Sequence, residues 1–243
     1  MKLENQEGKT IPHVNFINRL NGEWEKVDTK VFFANKKVVL FSLPGAFTPA
    51  CSSSHLPRYN QLASTFKENG VDDIICVSVN DGFVMEAWAQ DQDANNIKMM
   101  ADGNGSFTEG MGMLVDKQDL GFGKRSWRYS MLVNNGAVEK MFIEEDVPGD
   151  PFLVSDADTM LNYINANAKA PDEVTLFSKV GCPHCLKAKE LLAQKGYMFE
   201  EIKVGSDSSM ASLRAVTGQA TVPQVFINGE HIGGGEELVK YLK

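Results

Sequence analysis

Cysteine is scarce in this chain: four in 243 residues, Cys51, Cys76, Cys182 and Cys185. That is too few for a disulfide scaffold, so single thiols either do chemistry or fill core. Long apolar runs are missing too. None approaches the ~20 residues of a membrane span, so no membrane partner is expected. The opening Met1-Lys2-Leu3-Glu4-Asn5-Gln6-Glu7 is polar and acidic and does not read as a signal peptide. A cytoplasmic, reducing location is therefore expected. Excess positive charge is absent: 24 Lys and Arg stand against 32 Asp and Glu, a formal charge of −8. This argues against a nucleic-acid partner. Short-period repeats and low-complexity tracts are also absent. What remains is an ordinary globular composition, 43% hydrophobic and 23% charged, in a length that suits one large domain or two of average size.

A join is visible in Asn165-Ala166-Asn167-Ala168-Lys169-Ala170-Pro171-Asp172, small and polar with one Pro. It reads as a short linker and predicts domains over 1–167 and 168–243. Charge divides with it. From Glu173 on, eight basic residues balance eight acidic ones, so the whole −8 belongs to the first part. In that part Lys37–Leu43 and Ile74–Val79 are apolar and β-branched runs suited to strands buried on both faces. Between them Leu56, Tyr59, Leu62, Ala63 and Phe66 recur at helical spacing up to Asn69-Gly70. This predicts β-α-β with parallel strands. Tyr129–Val133 and Ala137–Ile143 flank Asn134-Asn135-Gly136 and predict a hairpin. A helix from about Asp156 closes the domain. The second part reads as a strand at Val174–Ser178, a Cys-bearing helix to Lys195-Gly196, a strand near Met198–Lys203 and a helix near Ser206–Thr217. A strand at Gln224–Ile227, a return strand and a last helix follow. The order β-α-β-α-β-β-α is the thioredoxin-type layout.

In Lys179-Val180-Gly181-Cys182-Pro183-His184-Cys185, Cys182 follows a strand and opens a helix. There, unpaired amides and the positive end of the helix dipole favour a thiolate. Pro183 suits the first turn, and Cys185 lies one turn on, placed to attack a mixed disulfide on Cys182. His184 reads as a partly exposed spacer. A zinc or iron–sulfur role for the Cys pair, with His184 or His231, is the competing reading, although a structural zinc site needs four ligands. Two more features accompany the motif. Ala220-Thr221-Val222-Pro223-Gln224 places an X-Pro bond, a candidate for cis, directly before a strand. Ile232-Gly233-Gly234-Gly235-Glu236-Glu237 is a Gly-rich entry to a helix, whose amides suit a carboxylate. Together the three resemble glutaredoxin over 173–243. The resemblance implies a thioredoxin fold that uses glutathione as reductant, with Cys182 as nucleophile and Cys185 as its partner. It implies that Lys179, Thr221, Val222, Pro223, Gly234, Glu236 and Glu237 line the glutathione site. The sequence departs from the family at His184, where Tyr is frequent, and at Gly235, where a larger residue is.

Pro44-Gly45-Ala46-Phe47-Thr48-Pro49-Ala50-Cys51-Ser52 likewise joins a strand to a helix. Thr48, three residues before Cys51, is spaced to bring its hydroxyl to the sulfur and to an incoming oxygen, and Pro44 to roof the pocket. Arg128, opening a strand in Trp127-Arg128-Tyr129-Ser130, is expected to bring a guanidinium beside the sulfur. Thiolate plus preorganised donors is what O–O cleavage requires. The competing reading makes Cys51 a small core residue and Arg128 a surface pair. The segments Pro44–Leu56, Val77–Asp81 and Arg128–Met131 resemble the peroxiredoxin-5 type over most of 1–165. This implies peroxide reduction through a sulfenic acid on Cys51, with roles for Pro44, Thr48 and Arg128. Cys76, mid-strand among apolar neighbours, reads as inert core. Pro151–Asp156, where some relatives carry a resolving Cys, has none. The expectation is therefore an α/β chain of two thioredoxin-fold domains, peroxiredoxin-like then glutaredoxin-like. Hydrogen peroxide and small organic hydroperoxides would be its substrates, and it would need no metal, flavin or haem. A homo-oligomer, dimer or tetramer, is expected, because the seven-residue linker 166–172 spans at most about 23–25 Å and limits transfer within one chain.

Overall fold

The computed structural model describes residues 3–147 and 149–243. Its two compact units divide at Ala170/Pro171, three residues beyond the expected boundary. The first begins with β1 (Asn15–Leu20) and β2 (Glu23–Asp28), an antiparallel pair. Asp28 then caps the single turn α1 (Thr29–Phe32). The two apolar runs form β3 (Lys37–Ser42) and β4 (Asp73–Ser78), which are parallel as expected. Between them a π-helical turn at Cys51–His55 leads into α2 (Leu56–Gln61) and α3 (Ala63–Glu68). Then come α4 (Gly82–Asp91), β5 (Lys98–Ala101), α5 (Ser106–Gly110), β6 (Leu114–Asp116) and β7 (Lys124–Ser126). β8 (Tyr129–Asn134), β9 (Ala137–Ile143) and α6 (Ala157–Ile164) complete the unit. The main sheet runs β5-β4-β3-β8-β9.

Alternation along β3 shows why its sequence is apolar throughout. Val39 and Phe41 face a core shared with Leu56, Tyr59, Phe66, Trp88 and Met160. Val38 and Leu40 face a second core with Phe16, Phe33, Phe107 and Trp127. A strand covered on both sides has no polar face to offer. β8 runs antiparallel to β3 with Ser42 opposite Tyr129. The end of β3, from which the chain leaves for Cys51, therefore lies beside the start of β8, where Arg128 sits.

In the second unit β10 (Val174–Ser178), α7 (Pro183–Gln194), β11 (Glu200–Lys203), α8 (Met210–Thr217), β12 (Gln224–Ile227), β13 (Glu230–Gly233) and α9 (Gly235–Tyr241) follow the expected order. The sheet is β11-β10-β12-β13. Its core gathers Val174, Leu176, Ala188, Leu192, Val225, Ile227 and Leu238.

Several elements differ from the sequence reading. The helix expected across Leu56–Phe66 is interrupted at Leu62, with ψ near 2°. α8 begins at Met210 rather than near Ser206, because the Ser209 hydroxyl caps it by accepting from the Ser212 amide at 3.0 Å. β1, β2, α1, α4, β5, α5, β6 and β7 went unread: all but α4 are six residues or fewer. The linker is also shorter than expected. Asn165 donates to Asn69 Oδ1 at 2.8 Å, and Ala168 packs on the first core. Asp172 accepts from Asn228 at 2.7 Å. Lys169, Ala170 and Pro171 are left as the tether, about 10–11 Å when extended.

The predicted hairpin closes through Asn135 (φ 48°) and Gly136 (φ 78°), with Asn134 opposite Ala137. Two left-handed residues match the twist of the strands. No atom lies within 4 Å of a Cβ built on Gly136, so the conformation alone demands glycine. Gly136→Ala is expected to destabilise the unit by about 1 kcal/mol, the cost of a left-handed backbone for an L-residue. Urea unfolding would measure it as a lower midpoint at unchanged slope.

Candidate active sites: two thiol centres

Cys51 is fully buried at the start of the π-helical turn. Arg128, 1% exposed, donates from Nη2 to its sulfur at 3.5 Å. The guanidinium has further partners. Nε donates to Asp150 Oδ1 at 3.0 Å, and Nη2 also pairs with Asp150 Oδ2. Nη1 lies 3.0 Å from His55 Nδ1, and the Phe152 ring lies over the cation at 5.4 Å. Since a guanidinium only donates, His55 Nδ1 accepts. Nε2 therefore carries the proton, and it donates to the Ser155 carbonyl at 3.2 Å. Burial, reinforced by the adjacent Arg128 charge, pushes the His55 imidazole down to about 3, so it stays neutral. Phe41, Tyr59 and Phe152 enclose it at 4.9, 5.5 and 4.8 Å.

Pro44 is buried. Thr48 is near in sequence, but its hydroxyl donates to the Gly45 carbonyl at 2.8 Å. Its proton is thus committed, and the oxygen retains only lone pairs for a further partner. Asn80 fixes the same loop, its Oδ1 accepting from the Ala46 amide at 3.1 Å and from Ser78 Oγ at 2.7 Å. Cys76 lies in β4, fully buried, and burial pushes its thiol well up.

Sequence reasoning missed the support behind Arg128. His55 had a signal, one helical turn after Cys51. Asp150 and Glu144 had none. The buried Glu144 carboxylate accepts from the amides of Leu153, Val154 and Ser155 at 2.8–3.0 Å and from Ser155 Oγ at 2.7 Å. It thereby folds back the segment that carries Asp150, Phe152 and the Ser155 carbonyl. Burial alone would raise the Glu144 carboxyl, but the Ser155, Val154 and Leu153 donors outweigh it and hold the group below its ordinary 4.5.

Cys182 caps α7 and is disulfide-bonded to Cys185, with Cα atoms 5.3 Å apart. Its sulfur accepts from the Cys185 amide at 3.2 Å and lies 3.9 Å from the Val222 carbonyl. The Val222–Pro223 bond is cis. A cavity of about 560 Å³ opens here, with Thr221, Val222, Pro223, Gly234 and Glu236 in its wall. Lys179 is exposed and outside that wall. Glu237 is outside it too: its carboxylate takes the Gly234 amide at 3.0 Å, so one of the turn's donors is already used by the chain. His184 lines the cavity. His231 Nε2 donates to Gln224 Oε1 at 2.7 Å, and Gln224 Nε2 donates to the Thr221 carbonyl at 3.0 Å. The histidine thus braces the loop that faces Cys182. Among the described residues no three His, Cys, Asp or Glu gather as metal ligands.

The Redoxin family profile matches residues 6–161 and the Glutaredoxin profile residues 174–232. A hybrid peroxiredoxin of Haemophilus influenzae, hyPrx5, is 61% identical over 98% of this chain and 99% of its own length. The chain belongs to the hybrid peroxiredoxins. A Synechocystis peroxiredoxin is 56% identical over 66% of the chain and 92% of its own length. Reduced Prx3 of Vibrio vulnificus, solved with hydrogen peroxide, matches with a TM-score of 0.63 at 42% identity, over 66% of this chain and 99% of that one. A 1-Cys peroxiredoxin of Plasmodium falciparum matches with a TM-score of 0.64 at 39% identity, over 67% and 100%. A thioredoxin-like Redoxin domain precedes a glutaredoxin domain, and the peroxiredoxin relatives support a thiol peroxidase.

Glu144→Gln removes the charge that the loop donors oppose. It is expected to cost this hybrid peroxiredoxin about 1–3 kcal/mol at neutral pH, as for weakened charged hydrogen bonds. Because the folded carboxyl is held below 4.5, the stabilisation is complete above 4.5 and is lost as pH falls through the folded value. Denaturant midpoints of wild type and variant should therefore converge in acid. A gap that is constant with pH would contradict the assignment.

Proposed function

We propose that the chain is a glutathione-dependent thiol peroxidase for hydrogen peroxide and small alkyl hydroperoxides, with the glutaredoxin unit as its own reductase. The observation that carries this is the buried guanidinium 3.5 Å from the Cys51 sulfur. A cation at that distance favours negative charge on the sulfur, in a site closed to bulk water. The thiolate attacks one peroxide oxygen. An S–O bond forms, O–O breaks, and the second oxygen leaves as water or alcohol after taking a proton. Arg128 donors and the Thr48 lone pair orient the peroxide, and Pro44 shields it. The resulting sulfenic acid is attacked by glutathione: S–S forms and water leaves.

The Cys182 thiolate then attacks the glutathione sulfur of that mixed disulfide, and Cys51 departs as thiolate. A second glutathione thiolate releases oxidised glutathione from Cys182, with Cys185 as an alternative resolving thiol. Thr221, Val222, Pro223, Gly234 and Glu236 hold glutathione across the cavity beside Cys182, while Lys179 and Glu237 act from outside its wall. The three-residue tether supports passage between subunits of a homo-oligomer, or by free glutathione.

Two outcomes test the scheme. Cys51→Ser abolishes peroxide turnover and leaves reduction of a small glutathione mixed disulfide intact. Cys182→Ser stops glutathione-driven turnover and accumulates glutathionylated Cys51 in mass spectra, while Cys185→Ser slows turnover without stopping it. Wild-type turnover by Cys182→Ser would remove the second unit from the cycle. Arg128→Met is expected to slow the peroxide step by at least about 100-fold, the scale of one lost oxyanion-type donor. Stopped-flow fluorescence would read it, with the Cys182 step unchanged.

A further inference from the structure

The cavity beside Cys182 is longer than the glutathione wall. Pro183 and Gly235 begin α7 and α9, and both helix starts face the thiol end. The same cavity is also lined by Leu191 from the third turn of α7, by Val239 and Lys240 from the far end of α9, and by Lys243 just beyond it. The two helices thus run side by side in one sense, and the groove follows them for roughly 12 Å at 1.5 Å per residue. That accommodates three or four residues of extended chain. Its floor is apolar: Ala188 is buried and Val239 is 43% exposed. Its rim is basic: Lys187, Lys240 and Lys243 line it, and none pairs with a carboxylate among the described residues. The one acid in the wall, Glu236, sits at the helix start beside the thiol. Gly235 keeps the passage open. Its backbone does not require glycine, and an added Cβ would meet only Pro223 Cγ at 3.8 Å, so space for a larger residue is present and unfilled.

We propose that this groove binds an acidic polypeptide segment flanking a glutathionylated cysteine, so that the second unit selects acidic polypeptides among glutathione mixed disulfides. The inference rests on the disulfide-reduction reading above. The chemistry is the same exchange: Cys182 thiolate bonds the glutathione sulfur, and the polypeptide sulfur leaves as thiolate. What the groove adds is attraction for carboxylates next to that leaving group, together with apolar contact for the chain between them.

The test uses the full chain with three probes: the cysteine–glutathione mixed disulfide, and two glutathionylated heptapeptides of equal length, one flanked by Asp and Glu and one by Lys. Wild type is expected to favour the acidic peptide over the basic one by roughly tenfold in kcat/KM at low salt, with the preference shrinking as salt rises. The double variant Lys187→Glu/Lys240→Glu reverses that preference, and Gly235→Tyr lowers kcat/KM for both peptides. The double variant leaves the small probe unchanged. Equal rates on the two peptides in wild type, or a double variant that slows all three probes alike, would overturn the groove. If wild type fails to reduce even the small probe, the disulfide-reduction reading falls, and this inference with it.

Discussion

A guanidinium with 1% of its surface exposed is the constraint around which the first unit is built. Taking a cation out of water is unfavourable by several kcal/mol unless partners replace the water. Asp150 supplies the counter-charge, the Phe152 ring covers one face, and neutral His55 accepts from the third nitrogen. The histidine is held neutral by the same burial and the same cation, so it adds an acceptor without adding repulsion. What remains of the donor set points at Cys51. Each partner is in turn fixed from behind. Ser155 holds His55, and Glu144 holds the segment 153–155 through its backbone amides. A chain of hydrogen bonds running from Glu144 through Ser155, His55 and Arg128 thereby aims one cation at one sulfur.

The two units apply one solution to two problems. Each sets a cysteine at the junction of a strand and a helical start. Cys51 is closed off, which suits attack on a small molecule in a dry site. Cys182 is half-exposed beside a long cavity and has a second cysteine one turn away, which suits exchange with a bulky disulfide. Neither environment would serve the other reaction. A buried sulfur favours a small reactant over a bulky disulfide, and an exposed one lacks donors for the departing oxygen. A hybrid peroxiredoxin keeps both on one chain and leaves only Lys169–Pro171 between them.

Much of this was legible in the sequence because the signals were local. Cys-Pro-His-Cys, Thr-Val-Pro and the glycine run mark positions where backbone geometry is demanded, and Pro44–Cys51 spaces its groups by turn geometry. β3, β4 and the Asn135-Gly136 hairpin were readable for the same reason. The supports were not legible. Glu144 and Asp150 meet their partners through a fold-back of the segment after β9, and a carboxylate in Glu144-Glu145-Asp146 looks like any solvated acid. The Thr48 hydroxyl was expected at the sulfur, yet a carbonyl three residues back takes its proton. Glu237 was expected toward glutathione, yet the Gly234 amide holds it. In both cases a nearby backbone group competes for a side chain whose position, but not whose bond, sequence spacing specifies.

The central claim is that electrons reach the peroxide from glutathione through the second unit. The most direct measurement is peroxide-dependent NADPH oxidation by the full chain, with glutathione and glutathione reductase in one reaction and thioredoxin and thioredoxin reductase in another. The account predicts sustained turnover in the first and none above background in the second. Turnover with thioredoxin alone, and none with glutathione, would contradict it.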